Sequence, residues 1–253
     1  MILKNINTHG NGTEPYNPSF KFFDENYLSH DWFSKRMCRK LRSVGAEKVL
    51  SLGIGHRIVS INIQNELNHY LKKHVIVECS QEIIKEFTEK FPLPDKVEIH
   101  CDFFETFQYN ELFDAIEGGF VLEHVDDPVV VLNNIKKILK KDGTIYLVVP
   151  NAKSLHRRIG FEAGILKDYY QLSEYDLKLG HKRYFDLDSF TALVEFCGLK
   201  IHHIEGVYLK PLTGQQMGSL NLPPDIITGL YKVGVDMPDI CNSIYLEAKR
   251  VYV

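Results

Sequence analysis

The chain has 253 residues, 30 basic and 33 acidic side chains, a formal charge of −3, and 44% hydrophobic against 25% charged residues. These are ordinary globular values that exclude disordered, collagen-like and low-complexity classes, and the near-neutral charge gives no general pull towards nucleic acid or anionic membrane. At roughly 150 residues per domain the length allows one generous domain or two small ones.

The first 30 residues, rich in Asn, Gly, Pro and aromatics, show no steady period. A helical pattern from Trp32 to Leu41 stops near Gly45. Lys48-Val49-Leu50-Ser51-Leu52 reads as a short buried strand, ended by Gly53-Ile54-Gly55. Ile63, Leu67, Tyr70 and Leu71 mark one face of the following helix, and Val75-Ile76-Val77 is the next strand. Ser80 is a suitable N-cap for a helix with Ile83, Ile84, Phe87 and Phe91 on one side. Val97–His100 and Phe113–Ile116 read as the third and fourth strands. Val131, Leu132, Ile135, Ile138 and Leu139 form a helical stripe closed by Lys140-Lys141-Asp142-Gly143, whose basic end suits the helix dipole. Thr144 to Val149 is the fifth strand, stopped by Pro150-Asn151.

Residues 152–185 lose this regularity and read as a helical insertion. Asp186 then caps a helix bearing Leu187, Phe190, Leu193 and Val194, which stops at Gly198. Leu199–Ile204 and Ser243–Ala248 are late strands, separated by an irregular excursion at 211–239. Alternation at this spacing predicts an α/β fold, a Rossmann-like, doubly wound, mostly parallel seven-stranded sheet with helical insertions. We expect one domain over 1–253, with its core at about 45–151, 186–210 and 240–250. The insertions 152–185 and 211–239 fall on the substrate side.

No apolar run approaches the roughly 18 residues of a spanning helix, and the start lacks the long apolar stretch of a signal peptide. Five cysteines, odd in number and never in CxxC, suit reduced thiols in a cytoplasm. The expected setting is therefore cytoplasmic, with no membrane or nucleic-acid partner. His202 and His203, adjacent on a strand, are expected to face opposite ways and not to share a metal; no metal is assigned.

In an open doubly wound sheet, ligands sit beyond the carboxyl ends of the strands where strand order reverses. Gly53-Ile54-Gly55 allows close backbone approach there. Glu78, 23 positions after Gly55 and ending the second strand, is placed to accept both hydrogen bonds of a ribose diol. Asp102, ending the third strand, can point at a base. A dinucleotide site would want a third glycine, but position 58 is Ile58, and the phosphate loop GxxxxGK[ST] is absent. The ligand expected is one with an adenosine but no pyrophosphate.

Val49-Leu50-Ser51-Leu52-Gly53-Ile54-Gly55, Glu78, Asp102, Phe113-Asp114, Leu122-Glu123-His124-Val125 and Val148-Val149-Pro150-Asn151 together resemble class I S-adenosylmethionine-dependent methyltransferases of the small-molecule branch. The resemblance spans roughly residues 45–210, and the order of motifs carries it. It implies S-adenosylmethionine as cofactor, approached by Gly53 and Gly55 beside Ser51. Glu78, with Cys79 adjoining, would bind the ribose, Asp102 with the Phe103 amide would read adenine, and Gly118 and Gly119 would pass the methionine moiety. Ser51 stands where the family usually has an acid that helps hold the methionine ammonium, and Arg57 where it has a small residue. These departures leave a catalytically degenerate binding or scaffold protein as an alternative; an NAD(P)-dependent oxidoreductase is disfavoured by Ile58.

Methyl transfer to oxygen or nitrogen also needs alignment, exclusion of water and a proton acceptor. His181 is the first choice of base and His156 the second, while His124 suits ordering of its loop. Arg157, Arg158, Lys182 and Arg183 are placed to converge on a phosphate, carboxylate or nucleotide, with Tyr169, Tyr170 and Tyr184 as pocket walls. The expected partner is a small anionic or nucleotide-linked acceptor. By resemblance, enzymes that modify bacterial surface polysaccharides, including with phosphoramidate groups, carry insertions of this style. The oligomeric state is not legible.

Overall fold

The computed structural model describes residues 23–251, so the segment up to residue 22 lies outside the described residues. The chain runs α1 (Phe23–Ser43), β1 (Lys48–Leu52), α2 (Ile58–Glu66), β2 (Lys73–Val77), α3 (Gln81–Lys90), β3 (Val97–His100) and β4 (Phe113–Gly119). It continues through α4 (Pro128–Ile135), β5 (Leu139–Pro150), α5 (Leu155–Glu162), α6 (Glu174–Lys178), α7 (Leu187–Phe196) and β6 (Leu199–Val207). It closes with α8 (Gly214–Ser219), α9 (Pro224–Gly234) and β7 (Ser243–Arg250). The strands form one seven-stranded sheet in the order β3-β2-β1-β4-β5-β7-β6. Five are parallel neighbours, and β7 lies antiparallel between β5 and β6. Strand order reverses between β1 and β4, which sets the crevice there.

Alternation along each strand builds two apolar layers. Leu50, Leu52, Val75, Val77, Leu147, Val149 and Leu246 face the side covered by α4 and α7. Val49, Ala115, Tyr146, Val148 and Tyr245 face α1 and α2, where Phe33, Met37 and Leu41 pack. Arg36 pairs with Glu205 and Lys40 with Glu247, tying α1 to the far strands β6 and β7. Local signals behave as their chemistry dictates. The Ser80 hydroxyl accepts from the Ile83 N–H, Asp186 and Ser189 make a capping box, and Gly45 and Gly198 take positive φ at helix ends.

Four details differ from the sequence reading. The helix expected to run through Leu139 ends at Ile135. A 3₁₀ turn over Lys136–Ile138 follows, and Leu139 opens β5 opposite Phe113. Lys140 therefore bonds Asp114 Oδ1 at 2.6 Å and caps no helix. Tyr70 is exposed because α2 stops at Glu66 and the chain turns before reaching it. A register shift between Ile201 and His203 breaks strict alternation in β6; His202 lies 3.8 Å from Glu247, and His203 bonds Glu205 Oε1 at 2.5 Å. The excursion at 211–239 is also more regular than expected, since it holds α8 and α9.

Candidate active site

Pairing continues past the strand ends and fixes the carboxyl edge. The Gly53 N–H donates to Val77 O at 2.7 Å, and the Glu78 N–H to His100 O at 3.0 Å. Gly53, Glu78 and Asp102 are thereby held on three adjacent strands at one edge. Gly53 and Gly55 have φ of +80° and +50°, conformations that side chains disfavour. A Cβ on Gly55 would meet nothing within 4 Å, so the turn presents open backbone. Glu78 is buried against this turn; Oε2 accepts from the Ile54 N–H at 3.2 Å and Oε1 from the Ser80 N–H at 2.9 Å. Those two bonds orient the carboxylate without neutralising it. Asp102 Oδ1 accepts from the Phe103 N–H at 2.7 Å and from the Thr106 hydroxyl at 3.1 Å. The Phe103 ring is exposed at the same edge. Cys79 and Cys101 are exposed between Glu78 and Asp102, with the Cys101 thiol 3.6 Å from Cys79 O.

Arg57, the departure from a small residue, packs against an aromatic ring. Its guanidinium sits 4.9 Å from the centroid of the Phe91 ring, at the end of α3. Ser51 is buried and hydrogen-bonded to His74 Nε2 at 2.9 Å. In register with Ser51 on the neighbouring strand lies Glu117, also buried, whose Oε1 accepts from the Gly119 N–H at 2.7 Å. Gly118 and Gly119 end β4, and a Cβ on Gly119 would overlap the Phe33 ring of α1. Beyond them Phe120 takes φ of 58°, and its ring lies 4.6 Å from that of His30, tilted by 33°; His30 in turn lies 4.6 Å from His56. Sequence reasoning missed Glu117 and this ring cluster. An acid inside the apolar run Phe113–Gly119 was the available signal for the first; the second depends on α1 folding over the edge and has no local signal.

On the acceptor side, His181 follows α6 and is nearly buried. Its Nδ1 is 3.4 Å from Asp176 Oδ1, close enough for an ion pair but with no well-formed hydrogen bond. The His124 ring meets it edge-on at 4.7 Å. Burial lowers the His124 pKa to about 3, with the neighbouring His181 charge adding to the effect. Burial likewise raises Glu123 to about 7, and neither of its carboxylate oxygens has a hydrogen-bond partner among the described residues. Glu123, His124 and His181 each bring one ligating atom within 4.8 Å of the others, a spacing at which they could hold a metal ion. His156 lies elsewhere, half-buried on α5 and 3.2 Å from the Ser154 hydroxyl. Burial, then the Lys210 and Arg157 charges, lowers it to about 2, so it is a poor proton acceptor near neutrality.

The four cations expected to converge on an anion are engaged elsewhere. Arg157 is buried, stacked 4.1 Å from the Tyr184 ring centroid, and donates to Tyr169 O and Gln171 O. Arg158 donates to Lys153 O and Asp239 O. Arg183 donates to Leu122 O, Val125 O and Asp126 O, clasping the loop after β4, and Lys182 pairs with Asp126. Tyr170 is exposed and donates to Asp186 Oδ2 at 2.8 Å. Arg157 braces the insertion internally, Arg158 ties it to the segment before β7, and Lys182 and Arg183 tie it to the loop after β4. Their sequence spacing showed proximity but not how many backbone carbonyls lay within reach.

Comparison with known proteins identifies the family. Residues 27–204 match the family described as a methyltransferase domain. The ubiquinone biosynthesis O-methyltransferase of Actinobacillus pleuropneumoniae serotype 7 (strain AP76) is 24% identical over 201 residues, covering 69% of this chain and 75% of that protein. The N-methyltransferase NodS of Bradyrhizobium japonicum WM9, solved with S-adenosyl-L-homocysteine, superposes with a TM-score of 0.58 at 12% identity, covering 94% of this chain and 95% of that one. An S-adenosylmethionine-dependent methyltransferase of Clostridium acetobutylicum ATCC 824 gives a TM-score of 0.59 at 13% identity, covering 92% and 96%. The open glycine turn and the oriented Glu78 carboxylate suit an adenosine with a diol. The chain belongs to the methyltransferase-domain family and is an S-adenosylmethionine-dependent methyltransferase.

Proposed function

We propose that this methyltransferase acts on an oxygen or nitrogen of a small-molecule acceptor, with His181 taking the acceptor's proton. In this reading Gly53 and Gly55 admit the cofactor, Glu78 holds its ribose, and Asp102 with the Phe103 region receives the base. S-adenosylmethionine supplies an electrophilic methyl group when bound; the protein's part is to align, desolvate and deprotonate. The observation that supports His181 is its carboxylate neighbour. Against the effect of burial, contacts from His181 and Ser173 hold Asp176 well below the usual carboxylate range. The Ser173 hydroxyl donates to Asp176 Oδ2 at 2.6 Å and the Tyr184 hydroxyl to Oδ1 at 2.9 Å, fixing the anion beside the imidazole. An ionised Asp176 stabilises the imidazolium formed when His181 accepts a proton.

A narrower form of the proposal takes an anionic or nucleotide-linked acceptor, of the kind met in surface-polysaccharide or phosphoramidate chemistry. Its support is the resemblance of the insertions; Arg157 and Arg183 lend it none, because their guanidiniums grip backbone carbonyls. The test is transfer of labelled methyl from S-adenosylmethionine to a panel of neutral, phosphorylated and nucleotide-linked alcohols and amines. Transfer to any member supports the proposal, and His181→Ala is expected to lower kcat about 10²- to 10⁴-fold with cofactor affinity unchanged. Undiminished kcat in that variant would remove His181 from the role.

A further inference from the structure

Strand order reverses between β1 and β4, and two residues face each other in register just inside that switch point: Ser51 on β1 and Glu117 on β4. Both are buried, and both side chains lie on the α1 side of the sheet, where Val49 and Ala115 two positions earlier pack under Phe33 and Met37. The Glu117 carboxylate folds back towards the carboxyl edge, because Oε1 accepts from the Gly119 N–H at 2.7 Å. Ser51 lies between Glu117 and His74, so a polar file crosses three strands at this level.

The file contains no cation. The groups that favour the ionised form of Glu117 are the Gly119 N–H and the Ser51 hydroxyl alone, and burial outweighs them, lifting its carboxyl to about 7. Burial also lowers His74 to about 3, so it stays neutral. A carboxylate removed from water without a compensating positive charge is strongly unfavourable. It occurs here at the one place where this fold binds its ligand, two residues before the glycine that ends β4. The cofactor brings its own cation to that edge, the α-ammonium of its methionine part. Ser51 offers that ammonium only a hydroxyl, and Glu117, one strand away and one methylene longer than an aspartate, restores the charge.

We propose that Glu117 is the anionic group that binds the cofactor's ammonium, standing in from β4 for the acid that β1 lacks at Ser51. This rests on the cofactor edge assigned above. A ligand pair separates the two ideas: S-adenosylhomocysteine carries the ammonium, whereas 5′-methylthioadenosine has the same adenosine and no amino-acid part.

Calorimetric titration of the full chain with both ligands tests the proposal. Glu117→Gln keeps the volume and the acceptor for the Gly119 N–H while removing the charge. It is expected to weaken S-adenosylhomocysteine about 10- to 100-fold and to leave 5′-methylthioadenosine unchanged. Moving the acid back, in the double variant Ser51→Asp with Glu117→Ser, is expected to restore the preference for S-adenosylhomocysteine. Equal weakening of both ligands in Glu117→Gln would show a structural role and overturn the proposal. So would unchanged affinity for both, or a double variant that folds and binds 5′-methylthioadenosine without regaining the preference. Wild-type protein that binds neither ligand would instead overturn the adenosine site itself.

Discussion

Acid is the perturbation to which this fold is most exposed, because among the described residues it holds His30, His56 and His74 buried, and His124 and His156 partly buried, in the neutral form. Burial, the leading cause in each case, lowers His30 to about 4, His74 and His124 to about 3, and His56 and His156 to about 2. Unfolding returns each to the ordinary value near 6.5. Their contribution to stability is therefore complete above pH 6.5 and is lost as pH falls. Glu117 and Glu123 act in the opposite sense: burial lifts each from 4.5 to about 7, so their contribution is present in acid and is lost as pH rises through 7. At pH 5.5 unfolding takes up about 4.5 protons on the histidines and releases about 1.8 from the two carboxylates, a net uptake of about three. The slope there is about 4 kcal/mol per pH unit, and the loss between pH 7 and pH 5.5 is about 3 kcal/mol. Against an ordinary domain stability of about 5–15 kcal/mol this is a large fraction. Urea unfolding followed by circular dichroism at pH 7.0, 6.2 and 5.5 measures it directly. Stability that is constant, or that rises on acidification across this window, would refute the assignment of these histidines as neutral in the folded protein.

Arg157→Lys is expected to lower stability by about 1–3 kcal/mol, because an ammonium cannot hold the Tyr169 and Gln171 carbonyls and stack on Tyr184 at once; a melting temperature equal to wild type would contradict the bracing role. Gly206→Ala is expected to destabilise by about 1–3 kcal/mol, since its Cβ would overlap Gly234 O and lie 2.6 Å from Cys241 Sγ, where α9 backbone closes on β6. Denaturant midpoints with unchanged slope would check both.

Much of the fold was legible because its signals are local. Leu50, Val75, Ile116 and Leu147 belong to apolar runs bounded by turn residues, and Ser80 and Asp186 mark helix starts through short-range bonds to the residue three positions on. The boundary at Leu139 was not legible, because the same apolar residue fits the last turn of a helix or the first position of a buried strand; pairing with Phe113 decides it. On the site side, glycines and strand-end acids could be placed because the parallel sheet fixes where strand ends go. The fate of Arg157, Arg158 and Arg183 could not, because long side chains reach partners many residues away, as Arg158 does at Asp239. Glu117 was visible in the sequence, but its meaning depended on register with Ser51.

The central claim is that the carboxyl edge between Gly53, Glu78 and Asp102 binds S-adenosylmethionine. Calorimetric titration of the wild-type chain and Glu78→Ala with S-adenosylhomocysteine addresses it most directly. The account predicts saturable binding at one site per chain, weakened about 10- to 100-fold by the loss of the ribose-binding carboxylate. Absence of binding by the wild type, or equal affinity in the two proteins, would contradict it.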